Sequence, residues 1–583
     1  MHVQPLALLS RRFFSPFWIT LYRAPKLMET TNDYLSELPS DILSMITDKL
    51  DLKDAVKTSI LSKRWKYIWI NHPDLIFNHL NVFGLDRKKL KKDSVGADSN
   101  FVKYVDQTMQ QRLKGDDKIT SFRVSFVLGE FFSQSIDRWI SCVLRKGVET
   151  IDLDFLKLYP IYIPSSFKKC YNFPWLLTIS EDKGTLKHLR VARCRLQLAP
   201  ASCSMKFDSL ISLQLIKVSI NDLQLKEVLE YCPLLENLSL HFCTELTHIR
   251  NGDIRLKVLY LKQCSKIKEI DLCTDNLISL KLKLSYISNQ ELTKFLKSCP
   301  VLKDLTLYYC QKLTHLSIGN SSNNTSLMSI SLKKCFKLEH IDLCADNVDR
   351  LEYTGKLISW SFMKTPRLTN AFLSYLNCVK GRLLTEDVKN LDSNISRLTL
   401  DFPMLQNLIF SQEDNCQYFM NPKPVTEFLN IRRLVLPVMP AHSEDILIWA
   451  RYILKAFPLL QTLELNLDRP FDLSQPIKTK TGIEEEEEKV MKKCHNGSIS
   501  EVKVNGFVGN QNEVDLVKYL LENLSGLKEL TLSPYKKAYK RFDSWEYNDI
   551  QASIEFDLFE YECHELLKVI PPSVCLHIER QRI

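Results

Sequence analysis

His248 and His315 both follow a Leu-Thr pair, and histidines at matched positions could ligate a metal through a ring nitrogen. One histidine at the same place in two similar stretches is also what two copies of a surface or turn residue would give, and that is how they are read. Cys494-His495 sets a thiol beside a base, the pairing that nucleophilic catalysis uses, but it lies in a polar run that reads as a domain boundary. Pro534-Tyr-Lys-Lys-Ala-Tyr-Lys-Arg-Phe542 interleaves aromatics with bases, as single-strand nucleic-acid binders do. A single nine-residue patch is read as a solvated loop, so nucleic acid is not an expected partner. No P-loop, Gly-x-Gly-x-x-Gly, His-Glu-x-x-His or Gly-x-Ser-x-Gly motif occurs. The expectation is a non-catalytic chain with no metal site and no cofactor.

The bulk composition agrees. Glycine is scarce, 15 of 583 residues, which disfavours folds built on glycine-rich phosphate loops. A net charge of +9 is small for this length and suggests no dedicated nucleic-acid surface. The 17 cysteines include no Cys-x-x-Cys pair and many sit inside apolar patterns, as reduced, buried thiols do. They point to the nucleus or cytoplasm. No apolar run reaches the ~18 residues that span a bilayer, so no membrane partner is expected. Residues 1–28 carry Arg11, Arg12, Arg23 and Lys26 with no acid before Glu29, a composition like that of an organellar transit peptide. Their closeness to the first patterned segment favours an extension over 1–33, with Met28 as the effective start.

The elements that must position any site are repeats. A unit of the form apolar-x-x-apolar-x-apolar has its central residue at 189, 213, 238, 259, 280, 305, 330 and 351. The intervals are 24, 25, 21, 21, 25, 25 and 21 residues, inside the leucine-rich-repeat range of ~20–29. A longer repeat lies over the short one. Cys232 to Leu240 matches Cys299 to Leu307, both reach Leu-Thr-His, and Ile270 to Leu277 matches Ile341 to Val348. The offset grows from 67 to 71 residues, which places an insertion in the polar run Gly319 to Asn324. This is a duplicated block of three repeats. Each repeat contributes one short strand that buries its apolar side only when stacked. Cys243, Cys264, Cys310 and Cys335 each follow a strand by three residues, where a small side chain can turn inward. Weaker units flank the array, at Phe122, Ile151, Leu408, Leu434 and Leu463. Target-facing residues are expected between the last two apolar positions: Arg190, Gln214, Ser239, Tyr260, Lys281, Thr306, Ser331 and Glu352. That mixed, mildly polar set suits a protein ligand.

Residues 34–70 predict three short helices, too few to bury a core alone. Pro39 suits a helix start, and Ile42, Leu43, Ile46 and Leu50 follow at helical spacing. Asp51 would cap a second helix carrying Leu52, Ala55 and Val56; a third, about Leu61 to Trp69, would place Leu61, Trp65, Ile68 and Trp69 largely on one side. Leu38-Pro39, Ile42-Leu43, Ile46 and Leu61-Ser-Lys-Arg-Trp65 with Trp69 resemble the plant form of the F-box. The resemblance implies docking on a Skp-type adaptor, and through it a cullin and a RING subunit, by Leu38, Pro39, Ile42, Leu43, Ile46, Leu50, Val56, Leu61, Trp65 and Trp69. The cysteine pattern resembles the leucine-rich repeats found behind F-boxes. Further on, Ile499 to Gly509, a helical run through Val514, Val517, Leu520 and Leu521, and Leu527-x-x-Leu530-x-Leu532 resemble the FBD domain. The expected organisation is F-box 34–80, linker 81–100, repeats 101–469, acidic loop 470–497 around Glu484 to Glu488, and FBD-like region 498–583. The expected fold class is α/β, a helical F-box before a solenoid with a curved parallel sheet. The implied function is substrate recognition for an SCF-type ubiquitin ligase, the alternative being a repeat scaffold outside any ligase.

Overall fold

A computed structural model describes residues 37–83, 97–112, 118–156, 169–198, 206–251, 255–272, 276–319, 326–375, 407–410, 430–438, 450–467, 496–541, 544–548 and 553–579, apart from one to three residues at a time within them. The chain divides into two compact units. One holds residues up to Leu75 with a stretch beginning at Gln110, and the other runs Ile76–Met109 and from Lys118 onward.

The first unit is helical. Pro39 sits at the N-cap of the helix Ser40–Asp48, where its missing N–H costs nothing and its carbonyl accepts from the amides of Ile42 and Leu43 at 3.0 and 3.1 Å. A second helix spans Leu52–Thr58. Leu43, Ala55 and Trp65 are buried, so this short segment does build a small interior. His72 is buried with Nε2 2.9 Å from the Leu50 carbonyl, and the Arg112 guanidinium donates to the His72 carbonyl at 2.6 Å. Of the expected third helix, Leu61, Ser62, Arg64, Trp65 and Ile68 are described, in turns and single-residue 3-10 positions; Trp69 lies outside the described residues.

The second unit is a solenoid. One run of parallel strands passes from Ser121–Ser125 through each repeat to Cys575–Ile578. The eight central residues read from the sequence stand side by side in register, from Leu189 against Leu213 to Ile330 against Leu351. Phe122 and Ile151 extend that row at one end, and Leu408, Leu434, Leu463, Val502, Leu530 and Leu576 extend it at the other. The FBD-like stretch therefore continues the sheet. A repeat missed in the sequence, Asn370–Tyr375, has the small Ala371 at its centre.

The duplicated block is visible in the return segments. The strand Ser212–Ile216 returns through the helix Asp222–Glu230, and Ser279–Lys283 returns through Asn289–Lys297. Both helices open on a capping box, Asn221 with Gln224 and Ser288 with Glu291. The other returns within the block are short strands, which pair in sheets of their own: His248–Asn251 with Glu269–Leu272, and His315–Ile318 with His340–Cys344 and Ser359–Lys364.

Each of seven strands of this run is followed directly by a residue in the left-handed region: Arg193, Lys217, Phe242, Gln263, Leu284, Tyr309 and Lys334, with φ from 52 to 58°. Its amide donates to a carbonyl at the end of the next strand, as from Gln263 to Lys283 at 2.8 Å. This turn drives the following residue inward. Cys243, Cys264, Cys310 and Cys335 all occupy that position and are buried. The Cys264 thiol lies 3.3 Å from the Leu240 carbonyl. A side chain in this conformation costs ~1–2 kcal/mol, most for β-branched residues. Gln263→Gly is expected to leave hydrogen-exchange protection of the strand Val258–Lys262 unchanged or slightly higher, and Gln263→Val to lower it.

Among the described residues, no helix is long and apolar enough to cross a membrane. The acidic run Glu484 to Glu488 and Cys494-His495 lie outside the described residues.

Candidate functional site: apolar helical residues and an open polar sheet face

Helical spacing on Ser40–Asp48 separates two faces. Leu43 turns inward at 0% exposure, while Ile42 and Met45 are 40% and 61% exposed. After the second helix, Ile60 and Leu61 are 71% and 55% exposed. Four apolar side chains of this small unit are therefore open to solvent. Of the residues expected to dock an adaptor, Pro39, Ile42 and Leu61 are exposed, Leu38, Ile46 and Leu50 are half-buried, and Leu43 and Trp65 lie inside the unit. The Val56 side chain and Trp69 lie outside the description. Met45 and Ile60 were missed in the sequence; both neighbour a residue that was found.

In the solenoid, Arg190, Gln214, Ser239, Tyr260, Lys281, Thr306, Ser331 and Glu352 stand side by side in register across eight strands. They are not equally open. Ser331 and Glu352 are buried, with the Ser331 hydroxyl donating to Glu352 at 2.6 Å and Lys333 Nζ 2.6 Å from the same carboxylate. Arg190 is paired with Asp152 and, at 2.9 Å, with Asp154. The row is thus internally neutralised at both ends.

A second row two residues further along each strand shares that face, by the period-two pleat. It runs His241, Lys262, Lys283, Tyr308 and Lys333 in register. Lys262 lies 5.4 Å from the Phe242 ring centre and Lys283 4.3 Å from that of Tyr308. Burial, then Lys262 and Lys334, lowers the Lys283 pKa. Burial, then Lys262, Arg190 and Lys283, pushes His241 down to about 4, so it is neutral at pH 7. Its Nε2 is buried and has no hydrogen-bond partner. The open middle of the face is therefore cationic, with Lys262, Lys281 and Lys283 around an unsatisfied imidazole. Following the alternation one residue beyond the last leucine would have found this row.

Past the array, Glu464 occupies the same kind of central position on Thr462–Leu467 and is buried. Lys537 Nζ and Asn505 Nδ2 reach its Oε1 at 2.5 and 3.0 Å, and Arg433 reaches Oε2 at 3.1 Å. Lys537 belongs to an antiparallel hairpin, Lys536–Arg541 with Ser544–Asn548. This corrects the solvated loop expected at 534–542: the basic patch is a paired strand, and one of its lysines is spent on an internal carboxylate.

A parallel leucine-rich-repeat sheet with an open polar face, preceded by a helical unit with an apolar surface, defines a repeat-based binding protein. The family described as the At1g61320/AtMIF1 LRR domain matches residues 108–284 and 255–558, and the F-box domain family matches residues 35–77. The chain belongs to the At1g61320/AtMIF1 LRR family and is a plant F-box/LRR protein. Similar proteins, all from Arabidopsis thaliana, carry matching names. F-box/FBD/LRR-repeat protein At1g13570 is 25% identical over 345 residues, covering 57% of this chain and 75% of that protein. F-box/LRR-repeat protein 25 is 28% identical over 249 residues, 42% of this chain and 81% of that protein. F-box/LRR-repeat protein At3g58900 is 37% identical over 131 residues, 22% of this chain and 38% of that protein. F-box domains generally bind Skp-type adaptors, leucine-rich repeats bind protein targets, and families of this kind are typically non-catalytic adaptors.

Proposed function

We propose that this chain is the substrate-recognition subunit of an SCF-type ubiquitin ligase, working in the nucleus or cytoplasm. Its helical unit docks a Skp-type adaptor, through which cullin and RING subunits are reached. Its open polar sheet face holds a protein target. The observation that carries the reading is the open apolar surface of Ile42, Met45, Ile60 and Leu61 within the F-box match. Ubiquitin transfer needs no catalytic group from this chain, because holding a target beside a loaded enzyme supplies the rate advantage of proximity. The test is co-purification: wild-type chain should retain a Skp-type adaptor through gel filtration, and failure to retain it removes the reading.

The chemistry of the target side follows from the sheet. Lys262, Lys281 and Lys283 share one face of the sheet, with Phe242 and Tyr308 beside Lys262 and Lys283, which suits a target presenting acidic side chains. Lys262→Glu with Lys283→Glu should therefore abolish target capture while adaptor retention stays at the wild-type level. The readout is proximity labelling with the proteasome inhibited. A labelled set unchanged by the double reversal would move the target site off this face.

A further inference from the structure

The duplicated blocks let one part of the solenoid be compared with its own copy. In the first copy, Asp222 Oδ1 accepts from the amides of Thr247 and His248 at 2.7 and 3.1 Å, and its Oδ2 lies 3.2 Å from His248 Nδ1. On the neighbouring return strand, Glu269 stands in register with His248 and is held by Arg250 at 2.8 Å and Lys294 at 2.7 Å. The site is a network of ion pairs.

The second copy keeps the frame and changes its charges. At the 67-residue offset Asp222 becomes Asn289, His248 becomes His315 and Arg250 becomes Ser317; at the 71-residue offset Glu269 becomes His340 and Asp271 becomes Asp342. Asn289 still accepts from the amides of Thr314 and His315, at 3.0 and 3.4 Å, but brings no carboxylate to the imidazole. The cation in register with the aspartate is gone, since Ser317 now pairs with Asp342. The glutamate in register with the histidine is itself a histidine. The result is two stacked imidazoles, ring centres 4.9 Å apart, bridged by one carboxylate. His315 Nε2 is 2.8 Å from Asp342 Oδ2, and His340 Nε2 is 2.7 Å from Asp342 Oδ1. One ligand atom from each of the three residues lies within 4.8 Å of the others.

We infer that His315, His340 and Asp342 form a binding site for a divalent transition metal of the zinc class. Two imidazoles and a carboxylate are a borderline-soft ligand set of the kind zinc, nickel and copper take, not calcium or magnesium. Metal–nitrogen and metal–oxygen bonds of ~2.0–2.2 Å at a tetrahedral angle separate the ligand atoms by about 3.3 Å, so the two histidine–carboxylate contacts need open by only about half an ångström, and all three ligand atoms already lie within 4.8 Å of one another. The ligands sit on adjacent strands with fixed register, and His340 and Asp342 share a face at i and i+2. His315 is exposed and the other two are half-buried, which leaves a coordination position open to solvent or to a ligand from a partner.

Isothermal titration of the full-length chain with Zn2+ alone, under reducing conditions, tests this. Wild type should take up one equivalent more than the His315→Gln, His340→Gln double variant, and that extra equivalent should slow hydrogen exchange at His315–Ile318 and His340–Cys344 in wild type only. His248→Gln, which alters the copy with the ion-pair network, should keep the equivalent. Equal uptake by wild type and the double variant overturns the site, as does its loss in His248→Gln, which would mark unspecific histidine binding.

Discussion

Ile42→Asp combined with Leu61→Asp should lower adaptor retention by at least about a hundredfold while leaving the melting curve of the chain unchanged. Buried hot-spot contacts at an interface are worth ~2 kcal/mol or more each on truncation, and each ~1.4 kcal/mol is tenfold in affinity. Replacing an apolar contact with a carboxylate adds the cost of an unpaired charge in the interface. Both side chains are already in water in the free chain, at 40% and 55% exposure, so the folded state loses little packing. Leu43→Ala and Trp65→Ala form the contrasting pair. Leu43 and Trp65 are 0% and 2% exposed, so their truncation costs ~2–5 kcal/mol of the helical unit itself. Those variants should also lose the adaptor, but with melting and proteolysis changed as well. Surface-plasmon resonance against the adaptor, run beside circular-dichroism melts, separates the two mechanisms. Full retention by the Ile42, Leu61 variant would remove the apolar surface from the docking role.

How much of this was legible in the sequence follows the range of the forces involved. The repeat centres were legible because every leucine of the row answers to the same local pattern, and the register pairs Leu238, Leu259 and Leu280 as the spacing demands. The repeat at Asn370–Tyr375 was hidden because Ala371 satisfies the same stacked position without the volume that makes a leucine conspicuous. Which returns are helical was legible in principle, from Asn221-x-x-Gln224 and Ser288-x-x-Glu291, since a capping box is a four-residue signal. The strand at Lys536–Arg541 was not legible. Lys537 is placed by a carboxylate 73 residues earlier, and no local pattern encodes so distant a partner. On the helical unit, spacing identified the stripe containing Ile42 and Leu43 but not which of the two faces out, because that depends on how Trp65 and Ala55 fill the interior. On the sheet, the sampled row found Lys281 but stopped before Lys262 and Lys283, one alternation further on.

Glu464→Ala should be the most damaging single substitution at the C-terminal end of the solenoid, costing ~3–5 kcal/mol of local stability. Glu464 is buried, and its carboxylate accepts from Lys537, Asn505 and Arg433. Removing it takes a 2.5 Å ion pair from the Lys537 ammonium, which is only 12% exposed. Burial by itself would raise the Glu464 pKa, but Lys537 and Arg433 outweigh it and hold the carboxyl below its usual range. A carboxyl depressed in the folded state contributes its stability above the ordinary glutamate pKa and loses it as pH falls through the folded value. Acid should therefore loosen this end by the same route as the mutation. Because a long repeat array does not melt in a single step, the measurement is hydrogen exchange at Thr462–Leu467 and Lys536–Arg541, not a global midpoint. Glu464→Ala should speed exchange there by a hundredfold or more, about 1.4 kcal/mol for each factor of ten, and leave Asn237–His241 untouched. Pairing Glu464→Leu with Lys537→Met should recover much of the protection, since an apolar pair of similar volume needs no desolvated partner. Exchange in Glu464→Ala that matches wild type at neutral pH would show the cluster to be ornamental to the fold, with the hairpin then held by its own strand pairing.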